Sequence, residues 1–133
     1  MKKKVMVFPC SGIGKVSGTI AREASKKAVK EMPDITEGPC LPLLTIGDEE
    51  TVNKVKENLS IAIDGCPKAC ALKNVEKSGG EVAKSFMVLE YMKEHKDLKP
   101  GTVTALMEDG EKLADIISKD ILKKVKEIME GGN

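Results

Sequence analysis

The chain has 133 residues, with 41% apolar and 32% charged residues, and its 22 Lys and Arg nearly balance 21 Asp and Glu. That composition describes one soluble globular domain spanning 1–133. A formal net charge of +1 gives no electrostatic case for nucleic acid or an anionic membrane, and 2% aromatic residues with no Trp supply no stacking platform for single strands.

Residues 4–9, "KVMVFP", read as a short buried strand stopped by a turn. The apolar run behind Lys2, Lys3 and Lys4 ends at Pro9, too short for the roughly 7–15-residue apolar region of a signal peptide. No run approaches the roughly 18 residues of a membrane-spanning helix, so a cytoplasmic location is expected. "CSGIGK" follows as a glycine loop, and Val16, Ile20, Ala24, Ala28 and Val29 then fall at helical spacing, which predicts a helix from Ile13 to about Met32. "PDITEGPCLP" reads as irregular and "LLTI" as a short strand. Asp48 is placed to cap a helix from about Glu49 to Asn58.

"SIAID" is a second buried strand, and "PKACALKNVEKSG" a short helix with Pro67 at its first position and Gly79 and Gly80 at its end. "KSFMVLEYM" predicts a further strand and "KEHKDLKPG" a polar loop in which His95, the lone histidine, is solvated. Leu106, Leu113, Ile117, Ile121, Val125 and Ile128 mark one stripe of a C-terminal helix over about 104–130. The methionines read as core filler and "KKVKE" as a solvated helix face. Strand and helix alternate, which predicts an α/β three-layer sandwich with a mainly parallel sheet and helices on both faces.

The cysteines carry the chemistry. "VMVFPCSG" and "IAIDGCPK" each run from an apolar strand to a cysteine and a helix start, so Cys10 and Cys66 both belong beyond the carboxyl ends of strands, where sheets of this kind place their sites. With Cys66 as N-cap, Cys70 lies one turn on along about the same face. Helix N–H groups there favour thiolate, the form that binds metal. With Cys40, four thiolates would complete a tetrahedral zinc shell. In a reducing compartment an even cysteine count points to metal or redox chemistry rather than a disulfide framework. The competing readings are a reactive thiol and a small buried hydrophobe. Gly65 lets the backbone approach a bound group closely. Asp64 either orients a ligand by hydrogen bonding or is stabilised by nearby helix N–H groups.

"CSGIGKVSG" fails as a Walker A loop, since Pro9 stands for its first Gly and Val16 for its Ser or Thr; it fails as a C-x5-R phosphatase loop because Val16 replaces the Arg. "GIGKVSG" is a weak dinucleotide-type match with no acid to hold a ribose. "VMVFPCSGIGKVS" is similar to the phosphocysteine loop of sugar-phosphotransferase IIB domains, which would make Cys10 a nucleophile cradled by backbone N–H groups. Gly12 and Gly14 could serve a small anion beside the cysteines, or act as turn formers only.

"CSGIGKVSGTIAREA", Cys40-Leu41 and "IDGCPKACALKNVEKSG" together resemble the DGC-domain family, named for its Asp-Gly-Cys motif, here Asp64-Gly65-Cys66. The resemblance covers about 5–90. It implies zinc binding, with Cys10, Cys40, Cys66 and Cys70 as the proposed ligands, and leaves the biochemical role undefined. Where family members carry a Thr-Asp-Leu-Gly-type turn, this chain reads "VLEYMKEHKDLKPG". The expectation is therefore a zinc-binding protein with a four-cysteine site at the carboxyl edge of the sheet. The alternative is a thiol enzyme or phosphocysteine-type phosphotransfer domain using Cys10. A small anion or a protein is the expected partner near the cysteine cluster.

Overall fold

The structure, a computed structural model, describes residues 4–10, 16–38, 41–65, 68–98 and 108–131. Its first strand, β1 (Val5–Pro9), is buried along Val5–Phe8. Helix α1 (Val16–Glu31) comes next, burying Ile20 and the small residues Ser17, Gly18, Ala21, Ala24, Ser25 and Ala28. Small side chains at this spacing let a helix lie close against a sheet.

The segment expected to be irregular contains a two-residue strand, β2 (Thr36–Glu37). It is too short to show an alternating pattern. Tertiary hydrogen bonds define it, including Val5 N–H to Ile35 C=O at 2.8 Å. "LLTI" is not a strand. Leu41–Thr45 form a short helix, α2, in which Leu44 is deeply buried while Leu43 is 42% exposed, and Ile46 just beyond it is 78% exposed. Pro42 is tolerated in a first helical turn because its missing N–H is not needed there. Ile46 N–H closes the turn on Pro42 C=O at 3.1 Å.

Gly47, at φ +79°, ends α2: its N–H reaches Leu44 C=O and Asp48 N–H reaches Leu43 C=O. This paired exit places a left-handed residue just past the helix, where glycine carries no steric penalty. Asp48 then caps α3 (Glu49–Glu57), its carboxylate accepting from Thr51 N–H at 3.1 Å and Thr51 Oγ1–H at 2.7 Å. The acid lies below its ordinary pKa, chiefly through the Thr51 hydroxyl and then the Thr51 N–H. Helix α4 (Cys70–Lys77) ends like α2, with Gly79 at φ +87° donating to Glu76 C=O and Gly80 N–H to Val75 C=O.

Between α3 and α4 runs β3 (Leu59–Asp64), buried at all six positions. The run expected as one strand, "KSFMVLEYM", divides: β4 (Glu81–Met87) begins earlier, and α5 (Val88–Glu94) takes its second half. Its apolar residues serve two periods. Phe86 is buried from the strand, whereas Val88 is buried and Tyr91 and Met92 pack on the same core from the helix. β4 is a terminal strand of the sheet, so its polar start meets no burial requirement. His95 lies half-buried at the C-cap of α5, its N–H on Tyr91 C=O. Helix α6 (Glu108–Gly131) is the expected C-terminal helix; residues 104–107 lie outside the described residues.

Among the described residues four strands form an all-parallel sheet in the order β2-β1-β3-β4. Alternate residues of a strand face opposite sides. Val5, Val7, Ile61 and Ile63 therefore share one core with α1 and the α6 stripe Leu113, Ile117, Ile121, Val125 and Ile128. Met6, Phe8 and Ala62 share the other with Leu44 of α2, Val55 of α3, and Ala71 and Val75 of α4. Helices thus cover both faces, giving the expected three layers. Among the described residues no helix is long and apolar enough to cross a membrane.

The second core is closed by Gly80. A Cβ there would overlap Val55 Cγ1 and lie 2.9 Å from Val75 Cγ1. Gly80→Ala is expected to lower stability by about 1–3 kcal/mol through overpacking. Ile117→Ala, which empties the opposite core, is expected to cost about 2–5 kcal/mol. Urea unfolding of the two single variants and the double variant checks both values, and near-additivity is expected because the sites lie on opposite faces of the sheet.

Candidate metal centre

Both apolar strands deliver their ends to one edge of the sheet. β1 and β3 pair in parallel through Pro9↔Ile63. The ladder continues one step further, with Cys10 N–H on Ile63 C=O at 2.8 Å. That bond fixes the Cys10 backbone, and its side chain is buried at 7% exposure. The Gly65 N–H, just beyond β3, donates to Cys10 Sγ at 3.2 Å. That N–H gives the Cys10 sulfur a backbone hydrogen-bond donor.

Gly65 is required by space rather than by a special backbone angle. A Cβ there would lie 2.9 Å from Gly18 N, and 3.0 Å from both Ser17 C and Ser17 Oγ. The obstacles are mostly backbone of the first turn of α1, which cannot rotate away. Sequence reasoning alone misses Ser17 and Gly18 as partners of the Asp-Gly-Cys motif. Their signal is the small pair in "VSG", where a helix start can approach another backbone closely.

Asp64 is buried at 1% exposure. Its carboxylate accepts from Ala71 N–H at 2.8 Å and from Leu72 N–H at 3.2 Å. These are first-turn donors of α4, which would otherwise lack partners. Asp64 therefore caps the helix from across the connecting loop, the second of its two expected roles. Burial pushes its pKa up, while the Ala71 and Leu72 N–H groups pull it down; burial prevails.

This remote cap changes where the helix begins. The sequence pattern predicts Cys66 as the N-cap and Pro67 as the first helical residue. Instead Ala69 is the N-cap and Cys70 the first helical residue. Ala69 stands in the left-handed region, at φ 51° and ψ 50°, so the chain turns sharply there before the helix starts. Cys70 is consequently exposed at the mouth of α4, and its C=O accepts from Asn74 Nδ2 at 2.8 Å. Cys10 and Cys70 are both free thiols. Cys40, Cys66, Gly12 and Gly14 lie outside the described residues. Among the described residues, no group of three or more His, Cys, Asp or Glu side chains could hold a metal ion. The described geometry thus joins Cys10 to Gly65 and ties Asp64 to α4, without itself forming a ligand set.

Two substitutions separate these local forces. Gly65→Ala is expected to destabilise by about 1–3 kcal/mol, because a Cβ must displace α1 backbone. Ala69→Gly is expected to stabilise by roughly 0.5–1 kcal/mol, since relief of left-handed strain exceeds the added entropy of an unfolded glycine. Denaturant midpoints of the two variants measure both, and the opposite signs make the pair self-controlling.

Neither a curated protein nor a solved structure matches the chain. A family model, the DGC domain, matches residues 6–116. This span contains most of β1, the Asp64-Gly65-Cys66 motif, all four cysteines and the first part of α6. The chain belongs to the DGC-domain family.

Proposed function

We propose that the protein binds a zinc ion through Cys10, Cys40, Cys66 and Cys70 at the carboxyl edge of the sheet. The observation that carries this reading is the hydrogen bond from Gly65 N–H to Cys10 Sγ, 3.2 Å long. It holds the Cys10 sulfur against the residue that precedes Cys66 in the chain, although their sequence separation is large. It also supplies a donor to that sulfur. Four thiolates on one zinc carry a net charge of about −2, so such a site needs N–H donors around its sulfurs. Ser17 and Gly18, in the first turn of α1, bring the positive end of that helix close to Gly65. Cys70 at the start of α4 gains the same kind of field.

A zinc ion held by four cysteines has a closed shell and ties chain segments together rather than activating water. Its role here would be to join the β1 end, the segment before α2, and the β3–α4 loop. Free thiols and this chemistry suit the reducing cytoplasm. A phosphocysteine role for Cys10 draws less support, because an acceptor thiol must be open to its donor whereas Cys10 is 7% exposed and engaged by Gly65.

Protein purified under reducing conditions is expected to contain one zinc per chain by elemental analysis. Thiol titration should show four cysteines protected before chelation and reactive after it. Cys66→Ser should lose the metal, lower the melting temperature and abolish its dependence on added zinc, since metal binding to the folded state stabilises it by mass action. Metal-free protein with one hyperreactive thiol would overturn the proposal in favour of the reactive-cysteine reading.

A further inference from the structure

The helix that follows Cys40 is short. α2 spans only Leu41–Thr45, far below the roughly 12–15 residues at which a helix becomes stable alone in water. Its position therefore depends on contacts with neighbouring elements. Leu44 supplies one, in the core it shares with Ala71 and Val75 of α4. Another is polar: Thr45 Oγ1–H donates to Asn74 Oδ1 of α4 at 3.3 Å, although the two residues lie 29 positions apart in sequence.

The other end of the same amide makes a second bond. Asn74 Nδ2–H donates to Cys70 C=O at 2.8 Å. Cys70 is the first residue of α4, and its thiol is free and exposed. One carboxamide therefore spans from α2, which starts at the residue after Cys40, to the backbone of Cys70. The amide oxygen accepts and the amide nitrogen donates, so a single orientation serves both bonds. Asp64 holds the N–H groups of Ala71 and Leu72 and so relates the start of α4 to β3. Asn74 relates that same start to α2. Both of its bonds lie on the solvent side, where water replaces a lost partner and the net stabilisation is small. Placing two segments relative to each other suits such a bond better than holding the fold together.

Resting on the four-cysteine reading, we infer that Asn74 is a positioning residue of the zinc centre, setting the start of α4 against the start of α2 at the separation that a shared metal requires. Asn74 is not itself a ligand. It acts through the Cys70 backbone on one side and the Thr45 hydroxyl on the other. Ligand-bearing segments held in place beforehand lose less freedom when the metal binds. Loss of the span therefore lowers metal affinity and leaves the number of metal ions per chain unchanged.

Thr45→Val keeps the β-branch and removes the hydroxyl, Thr45→Ser keeps the hydroxyl, and Asn74→Leu removes both ends of the amide. Zinc affinity of the full chain is measured by competition with a chromophoric chelator, and the visible spectrum of the cobalt-loaded chain reports the geometry around the metal. Thr45→Val and Asn74→Leu should each bind zinc about tenfold more weakly, still one ion per chain, with altered cobalt bands. Combining them should weaken binding no further than Asn74→Leu alone, because both break one link. Thr45→Ser should keep native affinity and spectrum, and the melting temperature of the metal-free chain should change little in every variant. Native zinc affinity in both Thr45→Val and Asn74→Leu would overturn the inference and leave the zinc site standing. Losses confined to the melting temperature of the metal-free chain would overturn it too, by making Asn74 a structural residue only. Native protein that takes up neither zinc nor cobalt would overturn the four-cysteine reading itself, and the role of Asn74 with it.

Discussion

The absence of a side chain at residue 65 governs the arrangement of the carboxyl edge. With Gly65 in place, the β3 end and the first turn of α1 meet backbone to backbone, 2.9–3.0 Å from where a Cβ would stand. Any other residue would force those elements apart. The Gly65 N–H to Cys10 Sγ bond depends in addition on β1 and β3 ending level with each other. The Asp-Gly-Cys motif is thus a steric device before it is a chemical one. Its glycine sets the spacing between β3 and α1, and its aspartate fixes the start of α4.

Asp64 illustrates how a buried charge is retained. Removing a carboxylate from water is unfavourable, and burial does raise its pKa. Two N–H groups of α4, at 2.8 and 3.2 Å, compensate in part. These donors belong to a helix start that has no capping side chain of its own, since Ala69 is its N-cap. One contact therefore settles two deficits: an acid without solvent and a helix end without acceptors. The left-handed Ala69 is a local strain of about 1–2 kcal/mol that this connection sustains.

Helix α1 serves several neighbours with different faces. Its small residues approach the sheet, its start abuts Gly65, and Lys27 crosses to α6. The remaining face carries Arg22, Lys26 and Lys30 over the cleft beside β1. A helix with so many small buried residues lies near the sheet.

Much of this is legible in the residues. Alternating apolar strands and helix-spaced segments determine a parallel α/β sheet, because burial on two faces leaves a continuous apolar run such as "SIAID" and helical crossovers leave a 3.6-residue stripe. Asp48, Gly79 and Gly80 are readable as helix punctuation, since capping acts through adjacent residues and needs no tertiary information. The Asp-Gly-Cys motif and its cysteine companions identify the family. Only the tertiary structure decided the rest. "LLTI" became a helix because burial of Leu44 against a neighbouring layer outweighed its apolar run, and β2 exists only through its pairing with β1. "KSFMVLEYM" was divided because one apolar run served the sheet and then the helix beside it. The start of α4 moved to Cys70 because its cap comes from Asp64, several residues away in sequence and across a loop. Local propensity can announce a cap or a period. It cannot announce a donor, an acceptor or a steric limit supplied by a distant segment, and those contacts place Cys10, Asp64 and Gly65 together.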